Sequence, residues 1–172
     1  MNAGDRKRTL MGLLFIVAGI LINAIVAAEE SIKTSVLAAS LSGAQEVPRV
    51  ITEASGKAVF QLSDDGDNLH YQINMSDMKD ITAAHIHMAP AGQNGVVVVV
   101  LFDRSDNGNR KIDDNVLEGT ITADDLVGPL VGNPLTVLMR EMEEGHAYIN
   151  VHSEEFPAGH IRGQIIDPSH KE

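Results

Sequence analysis

Seven histidines stand in a chain of 172 residues that contains no cysteine. Without thiols there is no disulfide framework, thiolate zinc site, iron–sulfur cluster or cysteine nucleophile. A transition metal would have to be held by imidazole, carboxylate or thioether. The histidines are grouped. Two lie in Ala84-His85-Ile86-His87-Met88, two bracket His146-Ala-Tyr-Ile-Asn-Val-His152, and His160 precedes Ile161-Arg162. An extended strand sends alternate side chains to opposite faces. Ala84, Ile86 and Met88 therefore mark a core-facing side and leave His85 and His87 together on the other. By the same rule Ala147, Ile149 and Val151 point inward, while His146, Tyr148, Asn150 and His152 share the outer face. Ile161 and Ile165 point inward, and His160, Arg162 and Gln164 outward.

Two imidazoles at i and i+2 on one strand are close enough to chelate one ion, and histidines from neighbouring strands complete a nitrogen-rich site. The expected ligands are His85, His87, His152 and His160. Copper is the expected metal, because it heads the Irving–Williams order for such donors; zinc is the alternative, favoured where the geometry is tetrahedral. Tyr148 and Asn150 are candidates to steady the ligands, since a ligating imidazole usually needs a partner on its other nitrogen. His70 and His170 are expected to be exposed bystanders. His146 shares a face with His152 but lies about 20 Å away along an extended strand.

Two other constellations have simpler explanations. Asp103, Ser105, Asn107, Gly108 and Asp114 loosely follow an oxygen-ligand calcium loop, but Asp114 replaces the bidentate Glu and the composition suits a solvated connection. Leu135, Leu138, Met139 and Met142 recur at helical spacing after Asn133-Pro134 and before Gly145, which reads as an amphipathic helix packing its Met stripe on the core. Thr122 and Asp125 form a capping pattern for a single turn.

The elements that must position the histidines are short and alternating. Runs at 36–42, 56–62, 68–75, 83–88, 96–102, 115–121, 146–152 and 159–166, separated by turn residues, predict eight strands. Asp64-Asp65-Gly66-Asp67 suits a hairpin turn. The expected fold is all-β, an eight-stranded antiparallel Greek-key sandwich or barrel with one short helix before the penultimate strand. The unbroken Val96–Val100 run is expected to be covered on both faces.

Ahead of these strands, Arg6, Lys7 and Arg8 precede an apolar run to Ala28, which reads as a signal peptide or an N-terminal membrane anchor over 1–28. A linker at 29–35, a domain at 36–168 and a tail at 169–172 follow, with the domain exported or held at the outer face of the membrane. The formal charge of the chain is −11. Residues 29–172 carry 10 Lys+Arg against 23 Asp+Glu, a charge of −13. Such a surface excludes a nucleic-acid partner, which needs clustered basic residues, and it opposes anion capture outside a local positive focus.

The assembled motifs resemble the CHRD domain, found in repeats in chordin and singly in exported prokaryotic proteins. Leu41-Ser-Gly-Ala-Gln-Glu-Val-Pro48 looks like its opening, Ala84-His-Ile-His87 with Gly95-Val-Val-Val its centre, and Tyr148-Ile-Asn-Val-His152 with Pro157-Ala-Gly-His-Ile-Arg-Gly-Gln164 its close. The closing motif usually carries Glu where this chain has His160. The resemblance implies an extracellular setting and no single agreed activity. An architectural likeness to copper–zinc superoxide dismutases, which carry His-x-His outside a β-sandwich and an Arg beside the copper, adds superoxide dismutation as an expectation, with Arg162 steering the anion. A copper carrier or electron-transfer protein, and a non-catalytic interaction or adhesion module, are the alternatives.

Overall fold

The computed structural model describes residues 36–105 and 112–169. The segment 1–28, the linker 29–35, the centre of the acidic loop with Asn107 and Gly108, and His170 lie outside them. Among the described residues no helix is long and apolar enough to cross a membrane.

Alternation of aliphatic and polar residues produces nine strands: β1 (Val36–Ser42), β2 (Ser55–Leu62), β3 (Leu69–Ser76), β4 (Ile81–Met88), β5 (Val96–Asp103), β6 (Ile112–Asp113), β7 (Val116–Ile121), β8 (Ala147–Ser153) and β9 (Ile161–Gln164). The eight expected strands are all present, with ends within two residues of those read from the sequence. The ninth, β6, is a two-residue addition beside β7. All nine join one antiparallel sheet in the order β5-β4-β8-β9-β1-β2-β3-β7-β6.

That sheet curls on itself. The Tyr71 hydroxyl of β3 donates to the Leu101 carbonyl of β5 at 3.2 Å, although five strands separate the two in the sheet order. The expected sandwich or barrel is thus a single half-barrel sheet, whose concave side holds an aliphatic core. Leu37, Phe60, Leu69, Ile73, Ile86, Leu101, Leu117 and Ile149 are all fully buried there. Each such side chain contributes roughly 1.5–3 kcal/mol by leaving water. The two halves meet along a thin seam, where β1 and β9 align through Ser42 and Arg162 and a bridge links Ala38 to Ile166.

The Val96–Val100 run departs from expectation. It belongs to β5, which ends the sheet, and Val96 and Val100 are exposed. Its pairing with β4 slips twice, between Ala84 and His85 and between Ile86 and His87. Each slip sets an extra β5 residue against β4, as in a β-bulge. The bulges turn both Val98 and Val99 inward, so a strand that looks uniformly apolar has interrupted alternation and an open side.

One α-helix, α1 (Leu135–Glu143), precedes β8 and buries Leu135, Leu138, Met139 and Met142. The Met stripe is core packing. Pro134, one residue later than the expected Asn133, occupies the N-cap. Gly145 adopts φ +71 at the other end. There the His146 N–H bonds Glu141 O and the Gly145 N–H bonds Met142 O, the paired closure of a Schellman motif. The Thr122–Asp125 capping box is also formed.

Candidate metal centre

Strands β4 and β8 are neighbours, with His85 aligned to Asn150 and His87 to Tyr148. Their inward residues Ala84, Ile86, Ala147, Ile149 and Val151 are fully buried, as the alternation requires. The opposite face collects the polar residues. His85, His87 and His152 come together there, each offering a nitrogen within 4.8 Å of the other two.

This face is not an open surface. The loop after β4 folds over it and is tied down at several points. The Gly95 N–H donates to the Tyr148 hydroxyl at 3.2 Å, and Arg162 donates to Gln93 O at 2.8 Å and to Asn94 Oδ1 at 3.2 Å. Asn94 in turn donates to Val47 O at 2.7 Å. Tyr148, Asn150 and Arg162 are consequently buried, and the three histidines are half-buried. Gly95 permits this roof to sit so close, because a Cβ there would lie 1.8 Å from Met88 O.

The roof and a neighbouring turn also set the imidazole tautomers. His87 Nδ1 lies 2.9 Å from Gly95 O, and His152 Nδ1 lies 3.0 Å from Pro157 O. A carbonyl only accepts, so each Nδ1 carries the proton and each Nε2 presents a lone pair. His87 Nε2 is buried without a hydrogen-bond partner. His152 Nε2 faces His85 Nδ1 at 3.2 Å and accepts a hydrogen bond from it. Two nitrogens each about 2.0–2.1 Å from one ion at a tetrahedral angle stand at nearly this separation. Ligation by His85 Nδ1 would require its proton to move to Nε2.

Electrostatics favour neutral imidazoles. Burial pushes His85 down to about 4, helped by the neighbouring His152 and His87. Burial lowers His87 as well, partly opposed by hydrogen bonding of the protonated ring to Gly95 and to the neighbouring Asn150 side chain, and it lowers His152 against the opposing bond to Pro157. Neutral imidazole is the form that ligates a metal. An unpartnered buried Nε2, two carbonyl-oriented rings and three converging nitrogens fit a transition-metal ion.

The other expected residues have different positions. His160 lies outside this group: its Nε2 bonds Thr52 Oγ1 at 2.9 Å and its Nδ1 bonds Ser153 Oγ at 3.0 Å. Buried, with both ring nitrogens engaged by hydroxyls, it ties the 50–54 segment to β8. Tyr148 lies between strands β4 and β9, stacked on His87 with ring centroids 4.8 Å apart and an interplanar angle of 6°. Arg162 covers the same phenol, its Cζ 3.4 Å from the ring centroid. The imidazole, phenol and guanidinium form one array, with the charge held by the roof rather than presented to solvent. His70 bonds Thr120 on the distant β3–β7 pair, and His146 stands beside Glu141 and Glu144, a second group with metal-ligand atoms within 4.8 Å of one another.

Sequence reasoning missed the groups that orient the ligands. Gly95 and Pro157 act through backbone carbonyls, which carry no side-chain signal, though both stand within the motifs singled out above. The chain belongs to the CHRD domain family, whose model matches residues 37–165. No curated protein and no solved structure matches it.

Proposed function

We propose that this CHRD-family protein holds one copper ion at His85, His87 and His152 in an extracytoplasmic setting. The observation that carries the reading is the convergence of two carbonyl-oriented imidazoles with a third, each offering a nitrogen within 4.8 Å of the other two. Zinc is the competing metal, and the 3.2 Å separation of His85 Nδ1 and His152 Nε2 suits it equally. Bound copper would supply one-electron chemistry between its two oxidation states. This chain's own residues orient the ligands, exclude water from one side and place the Tyr148–Arg162 array against His87.

Carriage of copper or electron transfer accounts for these features better than superoxide dismutation. Arg162 is buried and committed to Gln93 and Asn94, which removes the cation that would attract an anion. The chain's charge of −11 works in the same direction.

Copper titration of the purified protein, followed by equilibrium dialysis and metal analysis, should give one ion per chain. The His85→Ala plus His87→Ala variant should lose it. Absence of copper binding, or binding unchanged in that variant, overturns the proposal. Superoxide removal no faster than that of free copper, with the ion bound, supports carriage; faster removal that depends on Arg162 restores dismutation.

A further inference from the structure

Asn150 stands in the middle of the histidine group. On β8 it is two residues from His152, and across to β4 it is aligned with His85, so strand alternation sends all three side chains to the same face. It is only 4% exposed, yet its Oδ1 has no hydrogen-bond partner. A buried acceptor without a donor is costly, and such atoms are rare enough in folded proteins to require a physical reason.

The role expected of Asn150 from the sequence, steadying a ligand through its second nitrogen, is already filled. The backbone carbonyls of Gly95 and Pro157 hold the Nδ1 protons of His87 and His152. What remains to His87 is Nε2, which is also buried and unpartnered. The Asn150 side chain lies near enough to that ring to stabilise its protonated form, which only the amide oxygen can do. In the neutral ring, with the proton on Nδ1, electron pairs of Nε2 and Oδ1 therefore face one another with no proton between them. Neither group can satisfy the other, and both call for an electron-pair acceptor.

Both atoms are sealed from water. A bare transition-metal ion is smaller than a water molecule and binds nitrogen and oxygen at about 2.0–2.2 Å. Mixed nitrogen and oxygen donors are a set that Cu(II) accepts in tetragonal geometry.

We infer that Asn150 Oδ1 is the fourth ligand, completing a sphere of three nitrogens and one oxygen with His85, His87 and His152; the inference rests on the metal reading above. Four protein donors leave a four-coordinate ion no position for a substrate, which fits carriage of the ion or of an electron rather than reaction with superoxide.

The test is electron–nuclear double resonance on copper-loaded protein carrying carbon-13 at the side-chain carbonyl carbon of asparagine, with affinities taken from equilibrium dialysis. A carbon-13 coupling to copper is expected in the labelled wild-type protein. It should vanish in Asn150→Leu, which should bind copper more weakly by about tenfold or more. Asn150→Asp, which keeps an oxygen at the same place, should bind copper at least as tightly as the wild type. Copper bound without the coupling, or bound equally by Asn150→Leu, overturns the inference and leaves the three-histidine site standing. Tighter binding by Asn150→Leu overturns it too, by showing that the amide competes with the ion for His87 Nε2. No copper bound by the wild-type protein removes both. Should Asn150→Leu melt early, the coupling in the folded wild-type protein decides alone.

Discussion

Strands β3 and β8 have similar alternating sequences and very different surroundings. In β3 each apolar residue is buried and each polar one is exposed, so that His70, Gln72 and Asn74 face water. In β8 the apolar residues are just as buried, but Tyr148 and Asn150 on the opposite face are buried too, and His152 is half-buried. The difference lies in what covers the second face. Nothing described packs over the outer side of β3, whereas the loop after β4 and the 43–47 turn close over β8 and β9 through Gln93, Asn94 and Gly95. Desolvation then does to the histidines of β4 and β8 what no strand pattern could: it holds them neutral and gives their lone pairs a shared enclosure.

This contrast can be broken in several ways. The largest effect should come from His85→Ala plus His87→Ala, which should reduce copper affinity by more than about a hundredfold in equilibrium dialysis. His70→Ala, on the open face of β3, should leave that affinity unchanged. Next comes Arg162. Replacing it with Leu removes the cover of Tyr148 and leaves Gln93 O and Asn94 Oδ1 without their donor, at a cost of about 3 kcal/mol in denaturant unfolding. Lys57→Ala on the exposed face of β2 should change stability by less than about 0.5 kcal/mol.

A smaller loss is expected for His160→Ala, which removes one partner from each of the Thr52 and Ser153 hydroxyls while their bonds from Ala54 and Phe156 remain. About 1–2 kcal/mol of stability should disappear while copper binding persists, separating this structural histidine from the three ligands. The subtlest effect is on pH dependence in the metal-free protein. His85 binds its proton at about 4 when folded and at an ordinary histidine value when unfolded. The unfolded state therefore holds more protons across that interval, and the His85 contribution falls as pH drops from about 6.5 toward 4. Glu46, raised to about 7, has the opposite sign: its contribution is complete below the ordinary carboxylate value near 4.5 and fades as pH rises through 7. Melts between pH 4 and 7 should show a flatter acid limb for His85→Gln and a steeper one for Glu46→Gln. An identical slope in both variants would dissolve the distinction between the two buried groups.

Much of the scaffold was legible in the residues. Period-two alternation located every long strand, helical spacing located α1, and the same phase rule placed His85, His87 and His152 on one face. It failed at β5, where two bulges shift the phase and an edge strand reads as a buried one. It also failed for His160, which has the right phase but stands just before β9, where the chain bends and Thr52 and Ser153 engage the ring. Gln164 and Glu46 stood in recognised motifs, yet they line one cavity only because β9 lies beside the 43–47 turn.

The sequence by itself determined the all-β class, a donor set without thiols and rich in imidazole, and the side of each strand on which those imidazoles stand, because side-chain direction follows from local backbone geometry. Tertiary structure alone decided that this side is roofed, which histidines meet, which nitrogen of His87 and His152 carries the proton, and that Arg162 is walled in rather than offered to an anion. Those outcomes depend on contacts between residues far apart in the chain, such as Arg162 with Gln93 and His160 with Thr52, and on backbone carbonyls that every residue possesses. No periodicity encodes them.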